Sequence, residues 1–260
     1  MSPVKIATFN ANSIRVRLNQ ILEWMERENT DVLGVQETKV QDQDFPQHPI
    51  EEAGYHVVFS GQKSHAGVAT LSRTEPSEVQ AGFDDGSDPA RLLYTQIDSL
   101  HIVNSYVPQG RDPDHEEFRH KLDWFTQIRD WFDAHFSPTD RLVWLGDFNV
   151  APEDIDIHDP DRLRGHVDFH PEAQAALEKV RSWGFVDLFR KHHPDEPNQF
   201  TYYDYRARDP IERNTGWRVD HIWATKPLAE RCTAAWIDVE ARRAERPSDH
   251  TFLVAEFDLE

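Results

Sequence analysis

A short apolar run that ends in two polar side chains constrains this chain more than any other stretch. The run from Leu142 to Leu145 has the length of a strand buried on both faces, and Gly146 is expected to break it. Asp147 and Asn149 follow at its carboxyl end. Side chains alternate along an extended chain, so the carboxylate and the amide are expected on one side, where they can bind a metal ion or act on water. The alternative is a polar loop in which both residues form Asx turns.

The first strand of the chain ends in a similar way. Residues 4–9 alternate between apolar and polar side chains, which predicts a strand, and Asn10 and Asn12 follow it. The alternative for these amides is that they cap the next helix. A second apolar strand, residues 31–36, ends at Glu37. Because this glutamate stands in the same relation to its strand as the aspartate described above, a shared site at one sheet edge is expected.

The remaining pattern predicts more strands and the helices that connect them. Apolar side chains at helical spacing predict a helix after the first strand, a long helix from Asp114 to Phe136 and another from Pro171 to Trp183. Both halves of the chain run strand, helix, acid-ended strand and further strands, which favours two stacked sheets with helices outside. The further predicted strands are residues 55–60, 68–73, 92–97, 100–106, 216–223 and 252–257, and residues 153–168 are predicted as a loop.

Length and charge limit the class of protein. The 260 residues, 38% of them apolar, suffice for one large α/β domain or two small ones. A signal peptide and a membrane-spanning run are both absent from the sequence, so a cytoplasmic protein without membrane association is expected. Cys232 is the only cysteine, which excludes a disulfide framework and a cysteine-based metal site.

The net charge of −19, from 47 acidic and 28 basic side chains, argues by itself against a nucleic-acid binder. A bound metal ion and a local basic groove can reverse the sign where it matters. An acidic chain that is poor in lysine also suggests adaptation to high salt.

The polar residues that end the strands suit metal-assisted chemistry on a phosphate. Clustered carboxylates repel one another, and a hard divalent cation, magnesium or manganese rather than zinc, relieves that repulsion. Asp147 or Tyr106 is then a candidate to activate water, while Asn149 and His250 are candidates to hold the oxyanion of a pentacovalent phosphate. Asp220 is a candidate to raise the pKa of His250. Motifs for a serine or cysteine nucleophile are absent from the sequence, so direct attack by water is favoured.

Six short motifs together resemble the exonuclease III family of the endonuclease/exonuclease/phosphatase superfamily. One such motif would be weak, but six in the family's order and spacing are specific. The motifs are Thr8–Arg15, Gln36–Lys39, Asn104–Gly110, Gly146–Asn149, Gly216–Asp220 and Ser248–His250. The resemblance implies a four-layer α/β sandwich, in which two packed mixed β-sheets are flanked by helices, with residues 1–260 forming a single domain.

The resemblance also implies an activity and a partner. The expected enzyme is a Mg²⁺-dependent phosphodiesterase, with Mn²⁺ as a substitute, that incises duplex DNA 5′ to an abasic site and leaves a 3′-hydroxyl. Side activities as a 3′→5′ exonuclease and in cleaning blocked 3′ ends are expected, and the enzyme is expected to act as a monomer.

Roles for individual residues follow from the same resemblance. Glu37 is implied as the main metal ligand, with Asn10 and Asp249 nearby. Asp147 is implied as the general base, and Asn149 as the residue that positions the attacking water. Tyr106 is implied either to donate a hydrogen bond at the phosphate or to be ionised itself. His250, paired with Asp220, is implied to stabilise the transition state.

The implied substrate contacts lie on loops and aromatic side chains. Phe200, Tyr202 and Trp217 fall at or near the positions that line the family's abasic pocket, which accepts an extruded sugar without a base. The implied substrate-binding residues also include Asn12, Gln109, Arg111 and Arg206. A positive track is predicted from Arg111, Arg162, Arg164, Arg206 and Arg208.

Two alternatives remain. The first is a phosphodiesterase or phosphatase of the same superfamily that acts on a non-DNA substrate, such as RNA, an inositol phosphate or a phospholipid, which the net charge favours. The second is a catalytically inactive nucleic-acid-binding regulator, which the complete set of acidic residues disfavours.

Overall fold

The computed structural model describes residues 3–259. Strands in this part of the chain are, in order, β1 (Val4–Asn10), β2 (Val32–Gln36), β3 (His56–Ser60), β4 (Val68–Ser72), β5 (Glu78–Ala81), β6 (Leu92–Ile97), β7 (Leu100–Tyr106), β8 (Leu142–Asp147), β9 (Phe185–Asp187), β10 (Asp220–Thr225), β11 (Cys232–Asp238) and β12 (Phe252–Phe257). The helices are α1 (Ile14–Glu28), α2 (Gln47–Glu52), α3 (Glu116–His135), α4 (Pro160–Leu163), α5 (Pro171–Arg181), α6 (Leu188–His192) and α7 (Lys226–Ala229). Short 3₁₀ turns cover Asp42–Asp44, Asp154–Asp156 and Val239–Arg243.

The strands form two six-stranded sheets with the same internal plan. The first has the order β11-β12-β1-β2-β4-β3, and the second has the order β5-β6-β7-β8-β10-β9. Each sheet contains one parallel pair, β1 with β2 and β7 with β8, among antiparallel pairs. The duplication that the sequence indicated is therefore present, and the unit β1, α1, β2 corresponds to β7, α3, β8.

Three apolar layers hold the sheets and helices together. Side chains of α1, such as Met25, pack on the first sheet, and side chains of α3, such as Phe132, pack on the second. Between the sheets lies a third layer that includes Ile6 of β1 and Leu145 of β8. The predicted four-layer α/β sandwich is confirmed.

Strand β8 is buried on both faces, which explains its continuous apolar run. Trp144 packs against the helices, whereas Val143 and Leu145 face the first sheet. The prediction that Gly146 ends the strand is wrong, because the strand continues to Asp147. Gly146 has φ 139°, and a Cβ there would lie 1.9 Å from the Ser105 carbonyl oxygen, so the close approach of β7 is what requires glycine.

A buried polar bridge joins the sheets next to the strand ends. Gln36 Nε2 donates to Asn104 Oδ1 at 2.7 Å, and Asn104 Nδ2 donates to the Ala69 carbonyl at 2.8 Å. Both side chains are fully buried. Buried amide groups without hydrogen-bond partners would destabilise the folded protein. The bridge therefore specifies how the two sheets are aligned beside Glu37.

Several local predictions differ from the structure. Strands β5, β9 and β11 were not predicted. Strand β5 is an edge strand whose side chains are mostly exposed, so it lacks a clear apolar face. Residues 216–219 lie before β10 rather than in it, and the stretch predicted as a loop contains α4. Of the helices described between residues 3 and 259, none is long and apolar enough to cross a membrane.

Candidate active site

Polar side chains from both sheets meet where β1, β2 and β8 end. Asn10 is the last residue of β1, Glu37 follows β2, and Asp147 is the last residue of β8. The antiparallel register of β8 and β10 places Asp220 opposite Asp147. His250 lies just before β12, which pairs with β1. The sheet edge that the sequence predicted as a shared site is therefore formed by the ends of central strands.

The Asn10 side chain links the two sheets at this edge. Its Nδ2 donates to Glu37 Oε1 and to Asp147 Oδ2, both at 2.8 Å. Its Oδ1 accepts a hydrogen bond from the Asn12 backbone N–H at 2.9 Å. One fully buried amide thus holds a carboxylate from each sheet at a fixed separation.

The hydrogen bond from the Asn12 N–H to Asn10 forms an Asx turn, and a second Asx turn follows β8. Asp147 Oδ1 accepts from the Asn149 backbone N–H at 2.9 Å, so the Asx turn and the polar site are present together rather than as alternatives. Asn149 adopts a left-handed φ of 50°, and its Nδ2 donates to the Val107 carbonyl at 2.9 Å. The direction of the Asn149 side chain is therefore set by this turn. The alternation of strand side chains, from which that direction was predicted, ends at Asp147.

Lys39 is part of the site, although it was not among the predicted site residues. Its ammonium lies 2.6 Å from Glu37 Oε2 and donates to Asn12 Oδ1 at 2.5 Å. Burial raises the pKa of Glu37, but the Lys39 charge and hydrogen bond outweigh it, so the pKa lies below its usual value. The sequence contained a signal for Lys39, because it lies close to Glu37 in the motif Gln36–Lys39.

Asp220 and His250 form the buried pair that the sequence suggested. His250 Nδ1 donates to Asp220 Oδ2 at 2.8 Å, while its Nε2 lies 3.9 Å from Asp147 Oδ2. Burial lowers the pKa of His250, but the Asp220 carboxylate outweighs it and raises that pKa to about 10. The imidazole is therefore cationic at neutral pH, with its second N–H turned towards Asp147.

The other two titratable groups favour their neutral forms in the metal-free site. Burial and the neighbouring Asp220 raise the pKa of Asp147 to about 8. Burial, followed by Glu37 and Asp147, raises the pKa of Tyr106 well above its usual value. Of the two roles that the resemblance allowed for Tyr106, a hydrogen bond from a neutral phenol is therefore favoured over ionisation.

These pKa shifts predict that the metal-free protein loses stability at alkaline pH. The pKa of His250 rises from 6.5 to about 10 on folding, and that of Asp147 from 3.8 to about 8. Both groups bind protons more tightly in the folded protein, so their contributions are lost as the pH rises through the folded values. We expect the free energy of unfolding to fall by several kcal/mol between about pH 6 and pH 10 in chelator, because each unit of pKa shift corresponds to about 1.4 kcal/mol.

Urea denaturation followed by tryptophan fluorescence across this pH range, with chelator present, measures the effect. The Asp220→Asn variant is the control, because it removes the charge that sustains the His250 shift and should give a flatter dependence. A wild-type stability that stays level or rises with pH would contradict the assigned shifts.

The donor set fits a hard divalent cation. A carboxylate oxygen from each of Glu37 and Asp147 and a ring nitrogen of His250 lie within 4.8 Å of one another. The Lys39 ammonium shows that Glu37 accepts a positive charge at close range. Oxygen-rich donors of this kind suit Mg²⁺ or Mn²⁺.

The two other predicted metal ligands are placed differently from Glu37. Asn10 turns its amide nitrogen, rather than its oxygen, towards Glu37. Asp249 Oδ1 accepts from Asn12 Nδ2 at 3.0 Å and from Ser248 Oγ at 3.3 Å. Both therefore border the carboxylate pair in this structure, and their predicted ligand roles stay predictions.

Two of the three predicted aromatic residues lie beside the site. Tyr202 is half-buried, and the centre of its ring is 4.9 Å from that of His250. Trp217 forms a backbone bridge with Tyr202, and His166 lies over it at 4.7 Å between ring centres. Phe200 is fully buried against Gly216, so it supports this segment from behind instead of facing the cleft.

The predicted positive track is largely paired with acids. The ion pairs are Arg162 with Asp159, Arg164 with Asp154, Arg206 with Asp204 and Arg208 with Asp209. These pairs are exposed, and exposed pairs of this kind are weak, so phosphate can exchange for aspartate at small cost. The positive track stays a prediction, because these loops carry acids as well as arginines.

Gln109 and Arg111 lie on the loop after β7. Gln109 Nε2 donates to Asp168 Oδ2 at 3.1 Å, and its Oε1 accepts from the Arg111 backbone N–H at 2.8 Å. Arg111 is exposed and has a left-handed φ of 59°. The loop is therefore attached to the segment before α5 and presents Arg111 to solvent.

Arg218 and Lys121 are two of the buried cations beside the site that were not predicted from the sequence. Arg218 Nε donates to Asp156 Oδ1 at 2.7 Å and its Nη1 to Asp187 Oδ2 at 2.8 Å, which fixes the backbone between Trp217 and Asp220. Lys121 is the second, and the helical pattern contained its signal because it follows Phe118 by three residues on the apolar stripe.

The comparisons with known proteins agree with this geometry. The family model described as endonuclease/exonuclease/phosphatase matches residues 7–250. Exodeoxyribonuclease III of Haemophilus influenzae is 35% identical, over 98% of this chain and 100% of the relative. The structure of an AP endonuclease from Archaeoglobus fulgidus superimposes with a TM-score of 0.96 at 47% identity, over 98% of this chain and 100% of that one. The structure of a 3′ phosphatase from Neisseria, bound to a product DNA hairpin, superimposes with a TM-score of 0.93 at 32% identity, over 98% of this chain and 99% of that one.

Proposed function

Because the chain belongs to the endonuclease/exonuclease/phosphatase family, in its exonuclease III and AP endonuclease branch, we propose that it is a metal-dependent DNA-repair phosphodiesterase. Its proposed reaction is incision of duplex DNA 5′ to an abasic site, with 3′→5′ exonuclease and 3′-end-cleaning activities. The relatives named above, an exodeoxyribonuclease III, an AP endonuclease and a 3′ phosphatase, support this range of substrates.

The single observation that carries the proposal is the buried cluster of two carboxylates and a cationic imidazole at the sheet edge. Glu37 and Asp147 are bridged by Asn10, and His250 is held by Asp220. An inactive regulator has no need to hold two acidic groups and a cationic imidazole this close together, because desolvating ionisable groups is costly. The cluster therefore favours an enzyme over the regulatory alternative.

Glu37 and Asp147 would hold the metal ion, and Mg²⁺ is the ion that we propose. When bound, it would withdraw charge from the phosphoryl oxygens as a Lewis acid. The same oxygen donors accommodate Mn²⁺, which should substitute for it.

The side chains around the phosphate have distinct proposed roles. Asp147 takes a proton from the attacking water, because its carboxylate lies next to Asn149 at the end of β8. Asn149 Oδ1 makes no hydrogen bond within the described structure and is available to orient that water. His250 and Tyr106 donate to the phosphoryl oxygens, which gain charge in the transition state. The water oxygen forms a bond to phosphorus, the bond from phosphorus to the 3′ oxygen breaks, and that oxygen takes up a proton from solvent to give a 3′-hydroxyl.

Tyr202 and Trp217 are the proposed walls for the abasic sugar. Both are half-buried, and Tyr202 lies beside the His250 ring. A sugar without a base is extruded at lower energetic cost than an intact nucleotide, because less stacking is lost. A close-fitting aromatic wall would then exclude nucleotides that still carry a base.

Cleavage of a labelled duplex that carries one stable abasic analogue tests the proposal. The reaction is run with Mg²⁺, with Mn²⁺ and with chelator, across a series of salt concentrations. Incision 5′ to the analogue that requires the metal supports the proposal. An intact duplex, from folded protein that binds the metal, would refute it.

Glu37→Gln is expected to weaken metal binding more than it lowers the maximal rate. Substitutions in the outer shell of metal sites reduce affinity about 10- to 100-fold, so loss of a direct carboxylate ligand should raise the half-saturating Mg²⁺ concentration by about 100-fold or more. The measurement is a Mg²⁺ titration of cleavage. Glu51→Gln, an exposed glutamate on α2, is the control and should leave the titration unchanged. Equal Mg²⁺ requirements in Glu37→Gln and wild type would contradict the role of Glu37.

A second candidate function is hydrolysis of another phosphoester by the same site. The net charge of −19 and the pairing of exposed arginines with aspartates favour this candidate. The same protein is therefore also assayed on RNA and on inositol phosphates. Hydrolysis of either, without cleavage of abasic DNA, would favour the second candidate.

We also propose that residues 1–260 act as one domain and as a monomer. The hydrogen bond from Asn10 to Asp147 supports the first, because a chain split between the sheets would divide the site. Sedimentation of the protein in the concentration range of the assay tests the second.

A further inference from the structure

A fully buried ammonium ties together three loops at the rim of the site. Lys121 Nζ donates to the backbone carbonyls of Asn149 at 2.6 Å, Gln109 at 3.1 Å and Val167 at 3.1 Å. It also lies 3.3 Å from Asp168 Oδ1. We propose that Lys121 is a positioning residue that holds the Asn149 turn and the Gln109 loop in the geometry required for cleavage.

Packing alone does not account for a lysine at this position. The other buried side chains of α3 are aromatic or aliphatic: Phe118, Trp124, Phe125, Ile128, Trp131 and Phe132. Removing a charge from water costs several kcal/mol even after relaxation, and methionine would fill similar space without that cost. The ammonium must therefore supply something that an apolar side chain cannot, and its carbonyl contacts are what it supplies.

The contact with Asn149 acts on a residue that faces the proposed reaction. The N–H of Asn149 donates to Asp147, its carbonyl accepts from Lys121, and its side-chain Nδ2 donates to Val107. The left-handed turn is thereby held from both sides. Without the ammonium, the Asn149 carbonyl would be buried without a charged partner and the turn would relax, which would move the Asn149 amide oxygen.

The remaining contacts act on the substrate side of the cleft. Lys121 holds the Gln109 carbonyl and Asp168, and Gln109 Nε2 donates to the same Asp168 carboxylate. The loop after β7 and the segment before α5 are thus fixed to one point on α3. This part of the inference rests on the proposed function, because it matters only if these loops border the DNA.

Lys121→Met tests the inference, since it keeps the length of the side chain and removes the ammonium. The control is Lys191→Met, which is matched in its contacts although Lys191 is exposed: its Nζ also donates to two backbone carbonyls, those of Ala229 and Cys232, both at 2.7 Å, in a region without site residues. We expect Lys121→Met to lower kcat about 30-fold with little change in KM, as for interactions that act only in the transition state. Lys191→Met should retain the wild-type kcat.

A double-variant cycle separates positioning from general stability. If Lys121 acts through Asn149, then Asn149→Ala combined with Lys121→Met should lose little more activity than Asn149→Ala alone. Fully multiplicative losses, or a folded Lys121→Met protein with wild-type kcat, would overturn the inference. Should Lys121→Met fail to fold, Lys121→Arg, which keeps the charge but moves the donors, is measured in the same cycle with the same two outcomes.

A crystal structure of the variant provides a readout that does not depend on the substrate. A displaced Asn149 turn supports the inference, and an unmoved turn overturns it, whether or not the wild type cleaves DNA. Failure of the wild type on abasic DNA would instead refute the proposed function. The two failures are therefore distinguishable.

Discussion

Asp147→Asn is expected to lower kcat for cleavage of abasic DNA by about 10⁴-fold, which corresponds to about 5.5 kcal/mol of transition-state stabilisation. The substitution keeps the shape of the side chain, and its oxygen can still accept from the Asn149 N–H. It removes the group that takes the proton from water and one of the two carboxylates of the proposed metal site. Both losses act on the same step, which is why this effect should be the largest in the chain.

Single-turnover cleavage of the duplex with its abasic analogue, at saturating Mg²⁺, measures this loss directly. Asp84→Asn is the matched control, because Asp84 also accepts several side-chain hydrogen bonds, from Gln80, Trp131 and His135, but lies away from the site. Cleavage by Asp147→Asn within about tenfold of wild type would exclude Asp147 as the general base, because such a base contributes about 10²- to 10⁴-fold.

The second large effect concerns the pair formed by Asp220 and His250. His250→Ala should lower kcat about 10³-fold, similar to the loss of a donor that stabilises an oxyanion in other enzymes. Asp220→Asn should have a smaller effect near pH 6 that grows as the pH rises. With the carboxylate gone, burial lowers the pKa of His250 from about 10, and only the weaker influences of Asp147 and Asp249 still raise it. The imidazole then loses its proton, and the activity with it, at a lower pH than in the wild type.

The pH profile of kcat between about pH 5.5 and pH 9 distinguishes these roles. The wild type should retain its His250-dependent activity across this range, whereas Asp220→Asn should lose activity on the alkaline side. If Asp220 had only a structural role, both profiles would have the same shape at different heights. Such parallel profiles would remove Asp220 from the electrostatics of the site.

The sequence predicted those parts of the fold that depend on local pattern. Strand β8 is recognisable because a strand between two layers is apolar at every position, and its carboxyl end is marked by Asp147. The order of strands and helices is repeated in the two halves of the sequence, and this repetition predicted two sheets. Strand β5 was missed because an exposed edge strand has little apolar alternation to detect.

The sequence was less informative where distant segments meet. Asn10 and Asp147 are 137 residues apart, and only the topology of the two sheets places them within a hydrogen bond. Lys121 and Arg218 are both buried, and aspartates and carbonyls surround them. The helical spacing of Lys121 places it on the apolar face of α3, but no local pattern shows which carbonyls and aspartates pair with either cation.

The bond from Asn10 to Asp147 has a consequence for how the protein responds to ligands. It connects the two similar halves of the fold, and each half supplies one of the two carboxylates to which the Asn10 amide donates. An ion or phosphate bound there interacts with both halves at once and has nothing comparable to bind when they separate. By mass action, such a ligand raises the thermal midpoint of unfolding as its concentration rises. Heating should correspondingly inactivate the unliganded protein as soon as the halves part, even while each sheet still retains its own hydrogen bonds.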